Sequence, residues 1–203
     1  EICACLVGSE MCIRDRHRVS CHAKHDFIGS HLFYQAAGFH SLTRIDISQT
    51  GILVGTEHTA RNLERLEPIV AAADADIAVL PEMFATGFVL DPRRVAEPMD
   101  GRIVTWMREY ACRTGRALTG SAIIRDDGRY FNRQLFVRPT GEVTVYDKRH
   151  LFSIGGEGGL FTAGTERVVV EYGGLRLLLL VCYDLRFPVW SRCRNDYDAI
   201  VYS

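Results

Sequence analysis

The run Leu177-Leu178-Leu179-Leu180-Val181 constrains this chain more than any other stretch. Consecutive apolar residues without polar alternation suit a strand inside a sheet covered on both faces, so the fold must supply a layer above and a layer below it. Asp184, Arg186 and Pro188 follow closely and cannot continue such a strand. Cys182 stands at that junction, where a thiol can face a cleft while the strand behind it holds it in place. Taken alone, a cysteine in this setting is more often an ordinary core residue than a reactive one. Other junctions in the chain bear on the choice.

The same punctuation recurs along the chain. Ile77-Ala78-Val79-Leu80 reads as a short buried strand stopped by Pro81, whereas residues 43–48 alternate with period two and predict a weaker strand with one solvated face. Thr56 or Thr59 can cap a helix running to about Ala73, with Leu63, Leu66, Ile69 and Val70 at helical spacing. A second helix is expected over residues 101–112, its apolar stripe formed by Ile103, Trp106, Met107 and Tyr110. Strands over 117–124, 132–137 and 143–146 form a meander through Asp126-Asp127-Gly128 and Pro139-Thr140-Gly141. Gly173-Gly174 joins 167–172 to 175–181 as a hairpin, and 198–203 opens a further strand. Helices between the early strands, then hairpins, imply an α/β fold: a mixed sheet with helices outside.

At 203 residues the chain is long enough for one buried core, and 47% hydrophobic with 24% charged residues fits a globular domain. A formal net charge of -1 argues against a nucleic-acid surface. No apolar run approaches a membrane span and no secretory leader pattern opens the chain, so no membrane association and a cytoplasmic location are expected. The seven cysteines lack the regular spacing of a disulfide scaffold. Cys3, Cys5, Cys12 and Cys21 cluster with His17, His22, His25, His31 and His40, but no Cys-x2-Cys knuckle accompanies them, which disfavours a zinc site. Residues 1–40 are therefore expected to be a non-native or disordered leader, and residues 1–16 resemble a translated adapter. Residues 41–203 end inside a strand, which predicts the N-terminal two-thirds of a longer, C-terminally truncated domain.

Two more charged residues sit where strands end. Glu82 follows Val79-Leu80-Pro81 and is surrounded by Phe84, Ala85, Gly87 and Phe88, a setting that desolvates a carboxylate and suits it to take a proton. Lys148 follows the strand over 143–146 and would supply positive charge where an oxyanion develops beside a thiol. Singly, the first reads as a solvated loop glutamate and the second as a surface lysine.

Together they are recognisable. Leu80-Pro81-Glu82-Met83-Phe84, Tyr146-Asp147-Lys148-Arg149-His150-Leu151-Phe152 and Val181-Cys182-Tyr183-Asp184-Leu185-Arg186-Phe187-Pro188 resemble, in order, the three catalytic blocks of the nitrilase superfamily of carbon–nitrogen hydrolases. The bacterial omega-amidase branch is the most similar, and Trp190-Ser191-Arg192 with Arg194-Asn195-Asp196-Tyr197-Asp198 strengthens the match. The resemblance implies a nitrilase-like α-β-β-α sandwich, Cys182 as nucleophile, Glu82 as general base and Lys148 as the cation beside the tetrahedral intermediate. It implies an oxyanion donor in the Tyr183 N–H and an orienting role for Glu157, although Gly158 stands where relatives commonly carry histidine. It further implies hydrolysis of a short dicarboxylate monoamide, of the 2-oxoglutaramate or succinamate type, through a thioester. No metal or cofactor is needed; the small amide and water are the reactants, and the full-length form is expected to be a homo-oligomer. On charge grounds Arg186 is the candidate partner for the substrate carboxylate, while Arg149 is expected in a structural ion pair. Cys112 and Cys193 are expected to be incidental. The alternatives are another small carbon–nitrogen substrate, such as an N-carbamoyl compound, and a non-catalytic or metal-binding scaffold.

Overall fold

The computed structural model describes residues 11–13, 30–34, 43–47, 58–72 and 75–203. Strands β3 (Thr43–Ile47), β4 (Ile77–Val79), β5 (Ala117–Asp126), β6 (Arg129–Val137) and β7 (Val143–Asp147) join β2 (Ser30–Tyr34) in a sheet of order β2-β3-β4-β5-β6-β7. Its central β3-β4-β5 pairs are parallel and its flanking pairs antiparallel. A second sheet has the order β1-β10-β9-β8, from β1 (Met11–Ile13), β8 (Val169–Tyr172), β9 (Leu175–Leu180) and β10 (Ala199–Tyr202). β1 and β2 fall inside the segment expected to be a leader; the rest of that segment lies outside the described residues.

Side-chain alternation decides how these sheets stack. Ile77 and Val79 of β4, Phe136 of β6 and Tyr146 of β7 pack with Leu177 to Val181 and with Ala199 to Tyr202, closing one sheet on the other. The intervening residues Ala78, Leu80, Leu118, Ala122, Leu135 and Val137 point the opposite way, onto helices α1 (Thr59–Ala72) and α2 (Arg102–Thr114). Leu177 to Val181 are all fully buried, as the composition of the run demands. Of the expected α-β-β-α sandwich, an α-β-β stack lies among the described residues.

Element ends differ from the sequence reading where a local device extends or shortens them. α2 runs to Thr114, because Gly115 takes the left-handed conformation and its N–H bonds the Ala111 carbonyl at 3.0 Å. Its first turn has no capping side chain at Gly101; Glu97 Oε2 instead accepts the Ile103 N–H at 2.9 Å. β5 and β6 extend to Asp126 and Arg129, since Asp127 (φ 47) and Gly128 (φ 69) make a two-residue turn whose twist matches the flanking strands. β8 starts at Val169 rather than residue 167, where the Arg167 guanidinium bonds Asp196 at 2.8 Å.

Candidate active site

Glu82 leaves the sheet just beyond β4. Leu80 still continues the ladder, its N–H bonding the Thr119 carbonyl at 2.7 Å, and Pro81 then ends it. The turn that follows is fastened to β5: Met83 (φ 49) donates its N–H to Ser121 Oγ at 2.9 Å, and Phe84 donates to the Ser121 carbonyl at 3.2 Å. Lys148 lies one residue past β7, and its N–H bonds the Asn132 carbonyl of β6 at 2.9 Å, so the ladder holds its backbone too. Glu157 opens a short 3₁₀ helix, Glu157–Gly159, and reaches back to accept the Phe152 N–H at 2.7 Å, closing the loop that begins at Lys148.

These groups converge. The Lys148 ammonium, fully buried, donates to Glu82 Oε1 at 2.7 Å and to Glu157 Oε2 at 2.8 Å. Burial works against that charge, but the two carboxylates outweigh it and the lysine holds its proton above the ordinary range. Asn132 Nδ2 bridges the same pair of carboxylates, at 2.7 Å to Glu82 Oε1 and 2.9 Å to Glu157 Oε1. Two carboxylates against one ammonium leave this cluster with an excess negative charge.

Cys182 faces it from the second sheet. β9 ends at Leu180, and Cys182–Arg186 forms a 3₁₀ turn whose first residue has φ 37, a left-handed conformation unusual for a non-glycine residue and found where a side chain is thrust into a site. Its N–H bonds the Ser203 carbonyl at 3.0 Å beyond β10. The side chain is open to solvent along one side, yet protein crowds the sulfur from behind. That desolvation, then the charge and hydrogen bond of the Glu82 carboxylate, push the thiol up to about 12 against the opposing pull of Lys148. At neutral pH the Cys182 sulfur is therefore a protonated thiol beside a carboxylate, and a thiol so placed can act as a nucleophile only by giving up its proton.

A second polar hub ties the thiol turn to the lysine loop. Asp184, buried, accepts from Val181 N–H at 3.1 Å and Tyr146 OH at 2.7 Å through Oδ2. Its Oδ1 meets both the His150 N–H and His150 Nδ1 at 2.8 Å. The His150 ring stacks on Phe187 at 3.7 Å, and Trp190 Nε1 donates to the Tyr146 hydroxyl at 3.2 Å.

The Glu82 carboxylate, the Lys148 ammonium and the Cys182 thiol come one from each of the three blocks read in the sequence, and Glu157 joins them from the loop after the second. The sequence profile named Carbon-nitrogen hydrolase covers residues 44–202. The chain belongs to that family. This carbon–nitrogen hydrolase chain is 46% identical over 127 residues to an omega-amidase YafV of Yersinia enterocolitica, covering 63% of the chain and 49% of the relative. It is 33% identical over 130 residues to a 2-oxoglutaramate amidase of Bacillus subtilis, covering 63% and 50% respectively. The chain therefore spans about half the length of the curated relatives it matches. Among solved structures, XC1258 from Xanthomonas campestris, a CN-hydrolase superfamily protein with an arsenic adduct in its active site, superposes with a TM-score of 0.67 at 41% identity over 72% of this chain and 56% of that one. An amidase from Nesterenkonia sp. superposes with a TM-score of 0.65 at 26% identity, over 73% and 58%. The nitrilase-type α/β fold is thus shared with the family.

Within this carbon–nitrogen hydrolase chain the remaining expectations land unevenly. The Tyr183 N–H lies in the first turn of the 3₁₀ helix, where backbone donors lack intrahelical partners, and its ring packs edge-on against Phe152 and Phe187. Arg186 is exposed on the same turn. Arg149 is not in the expected ion pair: its guanidinium bonds the Gly164 carbonyl at 3.1 Å and lies over the Trp190 ring. Cys112 is exposed, and Cys193 packs beside the inter-sheet core. The zinc reading concerns side chains of residues 1–40, outside the described residues; among the described ones no His, Cys, Asp and Glu cluster is arranged to hold a metal, and no helix is long and apolar enough to cross a membrane. Sequence reasoning missed Asn132 and Asp184. Asn132 carries a faint signal, a polar residue two places before Gln134 on one face of a strand that ends in the apolar run Leu135-Phe136-Val137; Asp184 carries none beyond its ability to end a strand.

Proposed function

We propose that the protein hydrolyses the terminal amide of a small dicarboxylate monoamide, of the 2-oxoglutaramate or succinamate type, through a thioester on Cys182. The observation that carries this reading is the contact between the Lys148 ammonium and two carboxylates, Glu82 and Glu157, with the Cys182 thiol raised by the neighbouring Glu82 carboxylate. Glu82 takes the thiol proton as sulfur attacks the amide carbon. Negative charge gathers on the carbonyl oxygen, where Lys148 Nζ and the Tyr183 N–H stabilise it. The intermediate collapses, the carbon–nitrogen bond breaks, and Glu82 returns its proton so that ammonia leaves and a thioester remains. Glu82 then takes a proton from water, whose oxygen attacks the thioester; the carbon–sulfur bond breaks and the thiol recovers its proton from Glu82. Arg186 holds the distant carboxylate of the substrate. The names of the relatives, omega-amidase and 2-oxoglutaramate amidase, support the choice of substrate class.

Ammonia release from a panel of 2-oxoglutaramate, succinamate, N-carbamoyl compounds and neutral aliphatic amides tests the substrate class. Turnover confined to the monoamides, lost in Arg186→Ala through a raised KM, is the expected result; preference for an uncharged or N-carbamoyl amide would reject it. Intact-mass detection of an acyl adduct, absent in Cys182→Ala, tests the thioester.

A further inference from the structure

We infer that Asn132 is a positioning residue for both active-site glutamates, its side-chain amide holding the Glu82 and Glu157 carboxylates in place around the Lys148 ammonium. The part of this inference that concerns turnover rests on the amidase reading, but its test does not.

Three observations carry it. Asn132 is fully buried in β6, and its Nδ2 donates to both carboxylates, at 2.7 and 2.9 Å. Its carbonyl oxygen accepts the Lys148 N–H at 2.9 Å, so one residue is joined to three of the converging groups. Its own Oδ1 is buried without a hydrogen-bond partner. Turning the amide over would relieve that oxygen only by aiming it at two carboxylates, which fixes the orientation. An unpartnered buried carbonyl destabilises a fold, and a residue serving packing alone would be apolar here.

Charge explains why the donor is an amide. Glu82 and Glu157 face one ammonium, so a carboxylate lone pair on each remains to be satisfied in a buried place. A second lysine or arginine would satisfy them but cancel the excess negative charge, leaving Glu82 a poorer acceptor for the thiol proton. An amide supplies the hydrogen bonds and adds no net charge. It also sets the distance between two carboxylates that repel each other, so that both reach the same Nζ.

A carboxylate deprived of one such donor holds its proton to higher pH, by about one unit. The acid limb of Cys182 reactivity, which needs an ionised acceptor beside the thiol, must then move upward. The experiment compares the rate of Cys182 alkylation by iodoacetamide, read by mass spectrometry of the Cys182 peptide over about pH 4 to 10, in the protein and in Asn132→Leu, Asn132→Asp and Gln134→Leu. Gln134 lies on the same buried face two residues along, bonds Thr119 at 3.2 Å and also leaves its carbonyl oxygen unpartnered, but its side chain hydrogen-bonds none of the converging groups. The acid limb is expected to rise by about one unit in Asn132→Leu and further in Asn132→Asp, which adds a third carboxylate, and to stay in place in Gln134→Leu. An unmoved limb in the two Asn132 variants, an equal shift in Gln134→Leu, or loss of folded structure in both Asn132 variants would overturn the inference. Where ammonia release is measurable, Asn132→Leu lowers kcat at neutral pH at least tenfold with a smaller change in KM. Absence of ammonia release from every amide would reject the functional reading and leave the alkylation comparison to decide the role of Asn132.

Discussion

Cys182 shows how much of a residue's chemistry belongs to its surroundings. A cysteine beside a buried lysine suggests a stabilised thiolate, but desolvation and the Glu82 carboxylate win over Lys148, and the thiol is pushed from 9.0 up to about 12. Because the folded value exceeds the unfolded one, the resulting stability is fully present below pH 9.0 and is lost as pH rises towards about 12. Cys182→Ala should therefore flatten the decline of Tm between about pH 9 and pH 10 relative to the parent, since the tyrosines, which titrate around pH 10, are common to both proteins. Parallel declines in thermal melts of the two proteins would show that the thiol carries no such shift. Glu82, Lys148 and Cys182 were legible in the sequence, each at the end of a strand. The cluster's balance of charge was not, since Asn132 and Glu157 act on Lys148 and Glu82 only across a shared volume.

At the scale of elements, the site is held by ties between loops rather than by the loops themselves. Asp184 fastens the thiol turn to the segment after β7 through Val181, Tyr146 and His150. Asp184→Ala leaves several buried donors without an acceptor and should cost about 3 kcal/mol or more in chemical denaturation, against about 1 kcal/mol for Tyr146→Phe, which removes one bond. Gly164 makes a second tie: its N–H bonds the Lys148 carbonyl at 3.0 Å, and a Cβ there would overlap the Asp147 carbonyl. Gly164→Ala must displace the end of β7, and ammonia release should fall at least tenfold while circular dichroism stays close to that of the parent. A mutant with full turnover would show that the Lys148 segment tolerates the shift. From Thr43 onward, strand and helix existence was readable from period and punctuation, because those signals are local; β1 and β2 were not read. The 3₁₀ turn at Cys182 and the Asp184 hub were not, since their partners lie far along the chain, 38 residues away for Tyr146.

Across the whole molecule, the two sheets meet through Leu177 to Val181, and the thiol turn springs from the end of that buried layer. Leu179 is fully buried there, and Leu179→Ala should lower stability by about 2–5 kcal/mol through lost burial and a residual cavity. Cys182 alkylation should also become less selective over the exposed Cys112, because the layer that positions the sulfur loosens; unchanged selectivity in a destabilised variant would argue that the turn is held by its polar ties alone. The sequence by itself determined the α/β class, the strand junctions and the identities of Glu82, Lys148 and Cys182, since apolar runs and their breakers are encoded locally and the three blocks stand in order. Only the tertiary structure decided which side chains answer one another: Glu82 and Lys148, 66 residues apart, meet at 2.7 Å. The physical reason is that a charge buried away from water must find its partner wherever the packing of sheets brings one, and no spacing along the chain records that meeting.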